Sequence, residues 1–220
     1  MKQNLINARL YGILDLSYVY SSEVARIAAE MIEGGVDLIQ LRAKAKSIEE
    51  IVNLVAPLHE ITSRASVPLI VNDHPEVAKQ VPVEGVHVGQ DDDPISVARR
   101  KAGRELLVGK STHSLKQALA AQSEGADYIG FGPIFATPTK PDYKPIGMEL
   151  IKRVHSEVTL PIFCIGGIKL ENLAQVVAAG AQRVAIVSGL LKAPNVSEYG
   201  RAAKRLLLNI KHQTSNIEHP

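Results

Sequence analysis

The stretch GGVDLIQLRAKAKSIEEIVNLVAPL, residues 34–58, decides the fold. Its paired glycines end a helix, because glycine takes the backbone conformations that stop one at little cost. VDLIQL follows as a short apolar run without alternation, the pattern of a strand buried on both faces in a parallel sheet. Ser47 and Glu50 stand three apart, as a capping box requires. Ile48, Ile51, Val52, Val55 and Leu58 then recur at helical spacing and give the next helix one apolar face. Helix, strand and helix joined by short connections are the parts of a repeating βα unit.

The same alternation extends both ways. Upstream, LYGILDL (10–16) reads as a strand, and Val24, Ile27, Ala28, Met31 and Ile32 mark a helical face. Downstream, VPLIV (67–71), GVHV (85–88), ELLVG (105–109), DYIGF (127–131), LPIFCI (160–165) and RVAIVSG (183–189) read as strands. Each is followed by a helical segment. These begin near Pro75, at Pro94 in a first helical turn, at the Ser114/Gln117 capping pattern, and near Met148, Leu170 and Glu198. Eight βα units in 220 residues predict an α/β chain of one domain, a closed (β/α)8 TIM barrel. An open doubly wound sheet is the alternative, but no GxGxxG follows the first strand. The barrel is expected over residues 9–210, with a loose N-terminus at 1–8 and a frayed tail at 211–220.

Composition excludes several function classes. The net charge of +2, with acids and bases interspersed, gives no basic stripe for nucleic acid. Tryptophan is absent and aromatics are 4%, too few for a base-stacking platform. No apolar run reaches membrane-spanning length, and MKQNLINARL carries no signal-peptide pattern. The single cysteine, Cys164, lies in the apolar run PIFCI and is expected to be a buried, inert thiol. A cytoplasmic location is expected. A homo-oligomer is compatible with the sequence.

In such a barrel the chemistry sits at the C-terminal ends of the strands. After strand two, Gln40, Leu41, Arg42, Ala43 and Lys44 place Arg42 and Lys44 with the same parity, two cations suited to a phosphate or diphosphate or to a solvated loop. Strand three ends at Asn72-Asp73 and strand four at GQDDDP (89–94). Asp73 and Asp92 are candidates for a shared hard cation such as Mg2+, or for helix caps. Asp93 is read as the cap of the helix opened by Pro94. Ser111 ends strand five, Ser114 caps, and His113 is either an acid–base group or a structural hydrogen-bonder. Gly166-Gly167 and Val187-Ser188-Gly189 end strands seven and eight, the positions of the usual phosphate cradle of these barrels, or serve as ordinary tight turns. Between these two anion sites, the loop GPIFATPTKPD (132–142) offers Thr137, Pro138, Thr139 and Lys140 after strand six. Two phosphorylated substrates, or one with phosphates at both ends, would fit.

The ordered set GGVDLIQLRAK, VND, GVHVGQDD, GKSTHS, GADYIGFGPIFATPTKPD, IGGI and VAIVSG resembles the thiamine-phosphate synthase family, from about Leu10 to Leu190. The resemblance implies a (β/α)8 transferase of thiamine biosynthesis that joins a hydroxymethylpyrimidine diphosphate to a thiazole phosphate and releases pyrophosphate. It implies that Gln40 to Lys44 hold the pyrimidine diphosphate, with Arg42 and Lys44 on its phosphates. Asn72 would read the pyrimidine, and Asp73 and Asp92 would hold Mg2+. Ser111 and Lys140 would contact the diphosphate, and Thr137 to Thr139, Gly167, Val187 and Ser188 the thiazole phosphate. Two positions depart from the family pattern: Ala43, where an acidic residue is frequent, and His74, where arginine is frequent. A thiazole tautomerase using His113 and a non-catalytic thiamine-phosphate-binding barrel remain as alternatives. A sugar-phosphate isomerase or epimerase is a third, on fold analogy alone.

Overall fold

The computed structural model describes residues 2–103, 105–137 and 143–209. Eight parallel strands close into a barrel in sequential order: β1 (Leu10–Asp15), β2 (Leu38–Arg42), β3 (Leu69–Asn72), β4 (Gly85–Val88), β5 (Leu107–Thr112), β6 (Tyr128–Phe131), β7 (Ile162–Cys164) and β8 (Val184–Ile186). The ring is completed by β8 pairing with β1, Leu10 opposite Val184. The eighth strand therefore leaves no edge exposed, which settles the barrel against the open sheet.

A short helix α1 (Lys2–Asn7) precedes β1, and the outer layer comes from helices α2 (Val24–Glu33), α3 (Ile48–Arg64), α4 (Ile95–Ala102), α5 (Leu115–Ser123), α6 (Ile151–Glu157), α7 (Leu170–Ala178), α8 (Ser188–Leu191) and α9 (Val196–Leu208). The Ser47/Glu50 capping box is present in both directions at the start of α3. Ser114 caps α5 by accepting from the Gln117 amide, while the Gln117 side chain accepts from the His113 amide rather than closing the box on Ser114. The segment after Pro75 is a short 3-10 helix, Pro75–Lys79, instead of a full α-helix. α8 is a single turn that the Val187-Ser188-Gly189 sequence did not announce.

Strand parity divides the core in two. Leu10, Leu14, Ile39, Leu41, Val71, Val86, Val88 and Val108 face the helices, where they join one large apolar cluster. Tyr11, Ile13, Leu38, Ile70, Leu107, Tyr128, Phe163 and Ala185 fill the inside of the barrel. This is why the strands read as unbroken apolar runs: both faces are dry. Cys164 belongs to the outer cluster, and burial pushes its thiol up to about 12, so it stays protonated and unreactive.

The N-terminal stretch is corrected by the structure. Residues 2–7 form α1 instead of a loose end. Leu5 is 2% exposed and packs with Ala8 against the inner cluster. Burying that side chain offsets the entropy of ordering a terminal turn. Residues 211–220 lie outside the described residues. Among the described residues no helix is long and apolar enough to cross a membrane.

Candidate active site

The inward-facing residues change from apolar to polar along β1, β2, β3 and β5. Tyr11 and Ile13 are followed by Asp15, Leu38 by Gln40 and Arg42, Ile70 by Asn72, and Leu107 by Ser111. The polar ends meet at the C-terminal mouth, around a cavity of about 100 Å³. Gln40, Arg42, Asn72 and Ser111 line it together with Thr137, Gly167, Val187 and Ser188. The structure therefore brings these eight sequence candidates to one place.

Arg42 is held from behind. Its Nη1 donates to Asp15 Oδ2 at 2.5 Å, and Asp15 is 2% exposed. The other Asp15 oxygen accepts from the Ser17 amide at 2.9 Å and the Ser17 hydroxyl at 2.8 Å. A buried carboxylate paired in this way fixes the guanidinium and leaves its other N–H groups for an anion. Asp15 was missed in the sequence because it sits at the end of an apolar strand with no partner nearby in the chain.

Lys44 reaches the carboxylates, with its Nζ 3.4 Å from Asp73 Oδ2. Asp73 and Asp92 are neighbours whose charges act on each other. Burial, a hydrogen bond with Asp92 and the Asp92 charge raise the Asp73 carboxyl above its ordinary value, against the pull of Lys44. At Asp92 burial also pushes upward. Hydrogen bonds from Asp73 and the Gly89 amide, with the charges of Lys44 and Lys110, outweigh it and lower this carboxyl. Asp73 has φ of 63°, a left-handed conformation uncommon outside glycine and often found at functional sites. Two carboxylates this close form a site short of positive charge. Oxygen ligands of this kind suit Mg2+, which takes one or two carboxylates and fills the rest of its shell with water and phosphate.

Several sequence readings are corrected by the geometry. The side chains of Leu41 and Ala43 belong to the outer cluster, so parity turns them away from the mouth. Asp93 caps nothing: Pro94 occupies the cap position of α4 without a side-chain hydrogen bond, and Asp93 pairs with Lys101 at 2.6 Å. Nor does Asp73 cap the 3-10 helix, whose cap position is His74. His74 lies 3.3 Å from Glu76, directed along the chain. Pro138, Thr139 and Lys140 lie outside the described residues.

The two ends of the strand-six loop are fastened to neighbours. The amides of Ile134 and Phe135 donate to the carbonyls of Ile165 at 2.8 Å and Gly166 at 2.9 Å. At the far end Tyr143 packs on the His113 ring at 4.6 Å and donates to Asp91 Oδ2 at 3.3 Å. His113 Nδ1 in turn hydrogen-bonds the Gly132 carbonyl. Gly167 permits the first attachment. Its φ is +65°, and a Cβ there would lie 2.7 Å from Phe135 Cβ and 2.8 Å from the Ala136 carbonyl. Gly167→Ala is expected to cost about 1–3 kcal/mol in urea unfolding. Unchanged stability would show that the loop and turn are not packed as one unit.

A closed parallel barrel with its cations, carboxylates and hydroxyls gathered at one mouth defines the class, a (β/α)8-barrel enzyme. Residues 10–190 match the family described as Thiamine monophosphate synthase. The chain is 42% identical over 205 residues to the thiamine-phosphate synthase of Chloroflexus aurantiacus, covering 93% of this chain and 94% of that protein. It is 39% identical over 208 residues to the thiamine-phosphate synthase of Shouchella clausii, covering 94% and 98%. Among solved structures it resembles the thiamine phosphate pyrophosphorylase of Pyrococcus furiosus, with a TM-score of 0.85 and 31% identity over 95% of this chain and 98% of that one. The chain belongs to the thiamine-phosphate synthase family.

Proposed function

We infer that the chain is a thiamine-phosphate synthase, a transferase. It joins 4-amino-2-methyl-5-(diphosphooxymethyl)pyrimidine to a thiazole phosphate and releases thiamine phosphate and pyrophosphate. The observation that carries the reading is the pairing, at one mouth, of a fixed arginine with two neighbouring carboxylates beside a lysine. That set suits a diphosphate and its cation better than the single phosphate of a sugar isomerase.

Each group has a role in that reaction. Arg42 and Lys44 bind the diphosphate oxygens, Arg42 as a fork and Lys44 as a mobile charge. Asp73 and Asp92 would hold Mg2+, which when bound offsets the charge gathering on the departing diphosphate. Ser111 donates a hydrogen bond to the same end, and Lys140 adds a charge from the strand-six loop. Gln40 and Asn72 orient the aminopyrimidine. Its amino group supports positive charge at the methylene carbon, so the carbon–oxygen bond breaks ahead of attack. The thiazole nitrogen then forms the new carbon–nitrogen bond. Thr137, Pro138, Thr139, Gly167, Val187 and Ser188 hold the thiazole phosphate so that this nitrogen faces the carbon. No side-chain nucleophile is needed, and the protein acts by placement and charge. The location we favour is the cytoplasm, where a lone buried thiol such as Cys164 is usual.

His113 would be the acid–base group of a tautomerase. Its contacts with Gly132 and Tyr143 give it a separate task, fastening the loop. The deciding experiment supplies both substrates with Mg2+ to the purified chain and measures thiamine phosphate. Formation that requires both substrates and the metal supports the synthase. Turnover of a thiazole phosphate alone would support the tautomerase, and binding of thiamine phosphate without turnover the non-catalytic barrel.

A further inference from the structure

We propose that Tyr11, Tyr128 and His87 are positioning residues. They form a one-way hydrogen-bond chain across the barrel that sets which face of Gln40 and of Ser111 is offered to substrate. The inference rests on the roles given above to Gln40 and Ser111.

The chain runs through the barrel interior from β2 to β5. Gln40 Nε2 donates to the Tyr11 hydroxyl at 2.5 Å. The Tyr11 and Tyr128 hydroxyls are 3.0 Å apart. Tyr128 lies 3.2 Å from His87 Nδ1, and His87 Nε2 lies 3.0 Å from Ser111 Oγ. Around these contacts the packing is apolar. Tyr11, Tyr128 and Phe163 meet edge to face, with ring centroids 5.2 to 5.9 Å apart. Gly109 makes the chain possible, because a Cβ at that position would run into both the Tyr128 ring and His87 Nδ1.

The donation from Gln40 sets the direction. Each phenol has one proton, and burial raises the ionisation of both tyrosines, so both keep it. Tyr11 accepts from Gln40, so its own proton goes to Tyr128, since a buried hydroxyl left without an acceptor is costly. The Tyr128 proton then goes to His87 Nδ1. A neutral imidazole that accepts at Nδ1 carries its proton at Nε2. His87 therefore donates to Ser111 Oγ, and the Ser111 proton is left to point into the mouth.

Both ends of the chain now have a defined polarity. Ser111 presents an O–H, which suits a diphosphate oxygen. Gln40, with its amide nitrogen committed to Tyr11, presents its carbonyl, which suits the donor N–H of an exocyclic amine. Reversing the chain would turn a serine lone pair toward the anion and an amide N–H2 toward the amine. Both substrate ends would then be mismatched at once. A glutamine alone can flip its amide, and a serine alone can rotate its hydroxyl. Coupled through two tyrosines and a histidine, neither turns without the other.

The first test is the tautomer of His87, read by nitrogen-15 NMR on the ligand-free protein and assigned by the signal lost in His87→Gln. The expected form is protonated at Nε2, and a form protonated at Nδ1 overturns the proposal. This readout needs no turnover. A wild-type protein with the expected tautomer but no synthesis would count against the synthase reading and not against the chain. The second test is Tyr128→Phe, which keeps the ring packing and removes one link. It is expected to lower kcat/KM for the pyrimidine diphosphate about tenfold and to leave KM for the thiazole phosphate unchanged. In a background carrying both Gln40→Ala and Ser111→Ala the same substitution is expected to cost less than about twofold, because both residues it acts through are gone. An equal loss in both backgrounds would show that Tyr128 serves packing alone.

Discussion

Arg42→Ala is expected to lower kcat/KM for the pyrimidine diphosphate by about a hundredfold or more, the usual scale for a group that stabilises transition-state charge. The same variant is expected to lose about 3 kcal/mol of stability. The two effects share one cause. Asp15 is 2% exposed and pairs with Arg42 at 2.5 Å, so removing the guanidinium strands a buried carboxylate. The Ser17 amide and hydroxyl still serve one Asp15 oxygen, which keeps the loss near the lower end of the range for broken buried pairs. Arg42→Lys separates the effects. It restores a charge near Asp15 and recovers most of the stability, but it does not restore the two-pronged grip on phosphate. Urea unfolding and steady-state kinetics on the two variants check this. An alanine variant with normal kcat/KM would remove Arg42 from the diphosphate site.

Asp73→Asn is expected to reduce synthesis by about a hundredfold at saturating substrate and to abolish the stabilisation conferred by Mg2+. The carboxyl of Asp73 is raised by burial and by Asp92, so the folded protein binds its proton more tightly than the unfolded chain does. The contribution of Asp73 to metal-free stability therefore falls as pH rises from the ordinary carboxylate range through the raised value. A metal ion held by the deprotonated pair would reverse that loss. The rise in Tm on adding Mg2+ is expected to be larger near about pH 8 than near about pH 5. The asparagine variant lacks the repulsion, so its metal-free Tm at neutral pH is expected to equal or exceed that of the wild type. An equal Mg2+ shift in wild type and variant would place the metal elsewhere.

Periodicity made most of the fold legible. Residues 34–58 carry a helix stop, a strand buried on both faces and a capping box, and the structure has all three. The sequence was less informative where a terminal turn depends on a distant surface. Leu5 has no local reason to be ordered and finds its place only under the closed barrel. Parity was legible for Arg42 and Lys44. The same parity turns Leu41 and Ala43 outward, which a motif read as one block conceals.

The candidate site was legible where polar residues end apolar strands, as at Asn72, Asp73 and Ser111. It was hidden where the polar residue looks like part of the core. Tyr11, Tyr128 and His87 sit inside LYGILDL, DYIGF and GVHV, so each reads as strand filler. Their hydroxyls and ring nitrogens acquire partners 24 to 117 residues away only when the sheet closes. Asp15 is the same case, paired across 27 residues of chain.

The sequence by itself determined the eight βα units, the strand ends that bear cations and carboxylates, and the family. Those are local patterns, written in spacing and order along the chain. Only the tertiary structure decided that Asp15 braces Arg42, that Asp73 and Asp92 are neighbours, and that Tyr11, Tyr128 and His87 link Gln40 to Ser111. Closing the barrel brings residues from β1, β2, β4, β5 and β6 into a dry interior, where every proton must find an acceptor. That requirement belongs to the enclosed space and has no counterpart along the chain.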